Sequence, residues 1–162
     1  MADDYEDLTT CALSPELEAR LLHVQRECVF MWTNSDGEAF GVVMAVLPKD
    51  GRFWLTAAER RKRIAAIRRF PRASLCFNST GTKIGPGKTI SYKGSCTVHT
   101  DRETKDWFYP EFSRWLHRDE AAAEEFQRFL DSPHRVVIEF VPDYSLSFDG
   151  ELMMQRSPDA KW

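Results

Sequence analysis

Seven basic residues and no acid fall within residues 60–72: Arg60, Arg61, Lys62, Arg63, Arg68, Arg69 and Arg72. Cations at that density attract oxyanions, and a helix start adds free backbone N–H groups and the positive end of the helix dipole. At roughly 100° per residue, Arg60, Arg63, Ile64 and Ile67 share one side, while Lys62 and Arg69 point the opposite way. A merely solvated basic face would keep its cations away from Ile64 and Ile67 and would intersperse acids. The pattern predicts a phosphate held where the preceding strand passes into the helix. The chain carries 22 Lys+Arg against 25 Asp+Glu, a net charge of −3, so the residues outside this segment sum to −10. An anionic partner is expected at this one place, and bulk electrostatics argue against nucleic acid as a partner.

Other chemistry-bearing residues offer less. Gly81 to Thr89 imitates a phosphate-cradling P-loop, but five residues rather than four separate Gly81 from Gly87. A P-loop must also open a helix, whereas Thr89 onwards alternates like a strand. His23, His99, His117 and His134 are scattered, as are Cys11, Cys28, Cys76 and Cys96, and none sits at metal-ligand spacing. No metal is expected, and the cysteines read as reduced, mostly buried thiols. His99, ahead of Asp101, is either an acid–base group or a capping residue, and no side chain stands out as catalytic.

The elements that must position the basic segment follow from pattern. Ser14-Pro15-Glu16 opens a short helix. Cys28–Thr33 is a strand, Asn34–Gly37 a hairpin turn, and Phe40–Leu47 a strand apolar on both faces and so expected to be covered on both. Arg52–Thr56 is the next strand. Thr56-Ala57-Ala58-Glu59 has the form of a capping box, which predicts a helix from Ala57 that ends before Pro71. Ala73–Phe77 resumes strand character, Asn78–Lys88 is a glycine-rich loop, and Thr89–Val98 alternates, with Gly94 marking a bulge or a close backbone approach. Asp106–Leu130 is helical but interrupted, with Pro110 inside it, and its aromatics at helical spacing read mainly as core or dimer packing. A last strand runs from Val136 and bends at Pro142 towards Phe148.

Together these give a mainly β chain with α (α+β), about six antiparallel strands in a small barrel with peripheral helices. A sequence of 162 residues, 43% hydrophobic, supports one domain, and low-complexity classes are excluded. The expected organisation is a flexible acidic N-terminus over 1–13, a single domain over 14–155 and a polar tail over 156–162. No apolar run is long enough to cross a bilayer and the N-terminus is acidic, so no membrane is expected and a cytoplasmic location is.

Phe53-Trp54-Leu55-Thr56, the basic cluster ending at Lys62-Arg63, and Pro71-Arg72-Ala73-Ser74-Leu75 resemble consecutive motifs of the pyridoxamine 5′-phosphate oxidase-like, FMN-binding split-barrel family. Thr89–Gly94 and Leu146–Gly150 resemble its later strands, so the likeness spans about residues 25–150. The resemblance implies a six-stranded antiparallel split β-barrel, a homodimer with cofactor at its interface, and an oxidoreductase acting on a small-molecule substrate. It implies FMN, or alternatively the deazaflavin coenzyme F-420, with the phosphate on Lys62, Arg63, Arg60 and Arg61. Thr56, the backbone of Leu55, and Thr89 from an adjoining strand are implied along the ring or ribityl chain. A non-catalytic flavin, haem or tetrapyrrole binder is the third implied reading. The chain departs from the family where Arg61 and Phe70 replace Ser and Asn, and where Phe148-Asp149-Gly150 replaces the substrate-binding Arg and Trp motif. Vitamin B6 oxidation is therefore not expected.

Overall fold

The computed structural model describes residues 7–156. The first six residues of the expected acidic arm and the tail from Ser157 lie outside the described residues. Residues 7–13 are anchored rather than loose. Leu8–Thr10 forms a 3-10 turn, Cys11 and Leu13 are buried, and the Cys11 carbonyl accepts from the Asp149 N–H at 2.7 Å. Two apolar side chains with somewhere to go outweigh local polarity.

Seven strands form one antiparallel sheet: β1 Glu27–Thr33, β2 Ala39–Ala45, β3 Leu47–Lys49, β4 Arg52–Ala58, β5 Arg72–Asn78, β6 Lys88–His99 and β7 Arg135–Asp149. Their spatial order is β2-β1-β5-β6-β7-β4-β3. The two edge strands, β2 and β3, are separated in the chain by Val46 alone, so the sheet must curl until its edges meet. The apolar run Phe40–Leu47 is thus the barrel's corner, and its division into two strands raises the expected six to seven. It is not covered on both sides: Phe40 is 57% and Val43 63% exposed. Alternating side chains of β1, β4, β5 and β7 fill the interior, among them Phe30, Leu55, Leu75, Phe77 and Phe140, with Ile64 and Ile67 closing one end. Gly94 pairs with Pro142 at the break in the β6–β7 register, and a Cβ there would stand 2.3 Å from the Val141 carbonyl oxygen.

Among the described residues, five α-helices surround the sheet: α1 Pro15–Val24, α2 Lys62–Arg69, α3 Arg102–Leu116, α4 Glu120–Leu130 and α5 Gly150–Arg156. The Ser14 hydroxyl caps α1, and Pro110 sits inside an unbroken α3. Phe108, Tyr109 and Phe112 of α3 join Leu130 and Val137 in a second core on the outer face of β4 and β7. The capping box does not form. Ala57 and Ala58 continue β4 opposite Val136 and Arg135, and Ala57 is buried in the barrel. The Thr56 hydroxyl donates to the Val136 carbonyl at 2.9 Å, and Glu59 pairs with Arg68 at 2.8 Å. Two further ladder residues outweigh one cap, and α2 starts five residues later than Ala57. Its first residue is Lys62, and no side chain caps it.

Candidate cofactor-anchoring site

The uncapped start of α2 leaves backbone N–H groups available next to Arg60, Arg61, Lys62 and Arg63. These four line one wall of a cleft of about 520 Å³, and Trp32, Asn34, Asp36, Phe40 and Val42 of the β1–β2 hairpin line the other. Arg60, Arg61 and Lys62 are exposed, and Arg63 is half-buried, turned towards the packed side of the helix as its neighbours Ile64 and Ile67 require.

Arg63 is where the structure goes beyond the sequence. Its Nε is buried without a hydrogen-bond partner, and burial, then repulsion from Arg61 and Arg135, pulls its pKa below the ordinary guanidinium value. Arg135, at the start of β7, likewise has a buried and unpartnered Nε. A third orphan is the hydroxyl of Tyr109, which is 1% exposed. It lies beside Thr56 and within the field of Arg135, and burial raises its pKa against the opposing pull of both. Three donors from α2, α3 and β7 therefore gather at one corner of the barrel without a protein acceptor. Arg135 was not legible as a site residue, and Tyr109 only as one of several α3 aromatics that could cover a flavin ring or line a substrate pocket but read mainly as packing. Arg135 stands alone before an apolar run, and Tyr109 belongs to a helical aromatic series.

The other residues singled out from sequence divide. Thr56 reaches the corner, on the face of β4 opposite Leu55. Leu55 is fully buried, backbone included, so the implied contact of its backbone with a cofactor is not accessible in the single chain. Here β3 pairs with β4 only as far as Trp54, and among the described residues no strand flanks that edge of β4 from Leu55 to Ala58. Thr89 does not join the site. It sits at the start of β6 opposite Phe148, ten residues from His99, roughly 33 Å along the strand, and β7 separates β6 from β4. His99 lies on the outer face, its Nε2 2.8 Å from the Glu139 carboxylate, which also pairs with Arg52. Lys88 of the P-loop-like stretch is buried and held by Glu151 at 2.9 Å and Asp149 at 3.6 Å, and the residues after it form a strand. The four cysteines are unpaired.

Residues 13–145 match the family described as pyridoxamine 5′-phosphate oxidase. The chain belongs to this split-barrel family. Solved structures agree in fold. A conserved hypothetical protein, Rv2991 of Mycobacterium tuberculosis, superposes with a TM-score of 0.74 at 16% identity, over 94% of this chain and 92% of that one. A putative pyridoxamine 5′-phosphate oxidase from Listeria innocua gives 0.61 at 17% identity, over 82% and 95%. An F-420 reductase gives 0.59 at 15%, over 78% and 94%. No curated protein matches the sequence. Among the described residues, no helix is long and apolar enough to cross a membrane.

Proposed function

We propose that this family member is a flavin-dependent oxidoreductase that anchors the phosphate of FMN at the start of α2 and acts on a small organic substrate. The supporting observation is the trio of buried donors without acceptors: Arg63 Nε, Arg135 Nε and the Tyr109 hydroxyl. An unsatisfied buried donor costs about 1–3 kcal/mol. Three at one corner fit an acceptor-rich dianion, and a phosphate monoester has the charge and the oxygens to meet them. Bound flavin supplies a ring that accepts or gives hydride. The chain's own residues do the rest. Arg63 and Arg135 neutralise the phosphate, the uncapped amides of α2 and Arg61 and Lys62 add to the positive field, and Thr56 keeps an acceptor lone pair for a ribityl hydroxyl. The edge of β4 offers the partly exposed residues Thr56 and Ala58 to the ring, Leu55 and Ala57 being buried.

The reading includes a homodimer. On the outer face of the sheet, Val43, Val29, Cys76, Ser91 and Leu146 lie in one row across β2, β1, β5, β6 and β7, with Tyr144 in the next. Val43, Leu146 and Tyr144 are 63%, 61% and 53% exposed. A second copy is the partner that would cover such a sheet face. Thr89, distant from the basic corner of its own chain, could serve a cofactor only across such an interface.

A second reading, with F-420 as cofactor, draws on Arg60 and Lys62. Both are exposed, and among the described residues neither forms an ion pair, so a longer anionic tail would find them free. Titration of the apo protein with FMN, riboflavin and F-420, followed by fluorescence, tests both readings. The phosphate anchor requires FMN to bind at least about tenfold more tightly than riboflavin, one charged hydrogen bond's worth. Equal affinities would refute it, and tighter, salt-sensitive F-420 binding would select the second reading.

A further inference from the structure

A second group of cations without acidic partners lies away from the cofactor corner. The C-terminal turns of α1 and α3, the start of β1 and the loop at residues 80–83 enclose a cleft of about 730 Å³. It is lined by His23, Arg26, Lys83, His117 and Arg118. Among the described residues, Arg26, Lys83 and Arg118 form no ion pair, whereas Lys49, Arg52, Arg72, Lys88 and Arg102 all do. Glu27 is the one acid among the lining residues, which leaves a surplus of two positive charges before either imidazole is counted.

The cleft is built around a fixed guanidinium. Arg26 lies 3.3 Å above the Trp115 ring, and its Nη1 donates to the His23 carbonyl at 2.5 Å. Trp115 is itself tied down, because its Nε1 donates to the Val46 carbonyl at 2.8 Å. Stacking and that hydrogen bond hold Arg26 half-buried where a carboxylate partner is missing. Arg118 is close enough to repel it. The C-terminal carbonyls of α1 account for Arg26, but Arg118 forms no ion pair or side-chain hydrogen bond among the described residues and still stands beside it, and a ligand carrying two negative charges relieves the repulsion and satisfies both. Val24, Ala45 and Leu116 give the lining an apolar part that offers a seat for an uncharged moiety.

We infer that this cleft is a second anion-binding site that takes the phosphate group of a small phosphorylated ligand. The cleft is separate from the cofactor corner: Glu27 borders one and Trp32 the other, five residues of β1 apart, roughly 17 Å. The inference therefore stands independently of the cofactor assignment.

Inorganic pyrophosphate titrated at constant ionic strength, with the imidazole C2–H signals of His23 and His117 followed by NMR, provides the test. The expected result is a saturable shift of both signals that leaves His99, paired with Glu139 away from both clefts, unmoved. Arg118→Ala and Lys83→Ala, both at exposed positions, should each weaken binding about tenfold with unchanged melting. Arg61→Ala, in the other cleft, should leave the titration as it is. Saturation with FMN should likewise leave it intact, so failure here and failure of the flavin reading give different signatures. A linear, non-saturating shift, or equal affinity in Arg118→Ala, would overturn the site. Citrate binding as tightly as pyrophosphate would overturn the choice of phosphate.

Discussion

Replacing Arg135 tests the cofactor corner most sharply, because binding and stability should move in opposite directions. Arg135→Met keeps the length of the stem, and with it most of the packing against Phe129, but removes the guanidinium. In the apo protein that group contributes an orphaned Nε and repels Arg63. Its loss relieves both costs, so the apo variant should melt at the same temperature as the parent or higher. Cofactor affinity should fall by one charge-assisted hydrogen bond, about 1.5–3 kcal/mol, or roughly 10- to 150-fold in Kd. Arg63→Ala should show the same loss. Removing both should cost less than the sum, because one phosphate charge satisfies the two together. Arg69→Ala is the control. Arg69 is exposed, lies on the opposite side of α2 and donates only to the Thr33 carbonyl at 3.4 Å, so FMN affinity should change by no more than about twofold. Fluorescence quenching at fixed ionic strength gives Kd, and thermal melts of the apo forms give stability. If Arg135→Met melts lower and binds FMN as tightly as the parent, Arg135 is a structural cation and the phosphate has been placed wrongly. Equal small losses for all three single variants would reduce the basic segment to a diffuse field.

Three other outcomes follow from the geometry. Gly94→Ala places a Cβ 2.3 Å from the Val141 carbonyl and 2.6 Å from the Phe140 ring, so it should cost about 3 kcal/mol or more in urea unfolding; a shift within experimental error would mean that β6 and β7 separate more easily than their pairing implies. Val43→Lys and Leu146→Lys, on the exposed sheet face, should convert a dimer to single chains in sedimentation without lowering the far-UV helical and strand signal, and an unchanged dimer would move the interface elsewhere. Asp101 and Asp143 are held below the usual carboxylate range, the first by the Thr104 N–H it caps and the second by Arg72. Their stabilisation is complete above about pH 4 and lost as pH falls through their lowered values, so melting temperature should be insensitive to these groups from pH 7 to 5 and decline below about pH 4, with Asp101→Asn, which retains the cap, declining less.

How much of this was legible beforehand depended on how local each signal is. The basic segment could be found because its residues are contiguous and because Ile64 and Ile67 betray the packed side. Its start could not. The motif Thr56-Ala57-Ala58-Glu59 satisfies the capping box, and only the partner strand β7, some 80 residues downstream, decides that Ala57 and Ala58 stay in the sheet. Gly94 was readable as a close approach because it interrupts an alternating face. Phe40–Leu47 is only half covered within one chain, since nothing in eight apolar residues says that the chain turns a corner at Val46 and joins the two edges of one sheet; its exposed face is the one a second copy would cover. Thr89 was expected on a strand adjoining that of Thr56, whereas β7 lies between β6 and β4.

The unpartnered donors make the deeper point. Arg63, Tyr109 and Arg135 belong to three segments that share no motif, and each alone has an ordinary explanation as surface charge or helix core. The β4–β7 ladder sets Arg135 opposite Ala58, five residues before Arg63, and α3 lays Tyr109 across the same two strands. Tyr109 and the stem of Arg135 pack, but the unpartnered polar atoms of the three add nothing to folding. Paired to nothing, they carry a desolvation cost that replacement by apolar residues of similar volume would remove. A corner that is worse than necessary for stability, on a scaffold otherwise well packed, is the observation on which the proposed phosphate anchor rests. The residue types name the ligand's chemistry: two guanidinium groups and a phenol, beside an uncapped helix start, fit an oxyanion and not a metal or an uncharged ring.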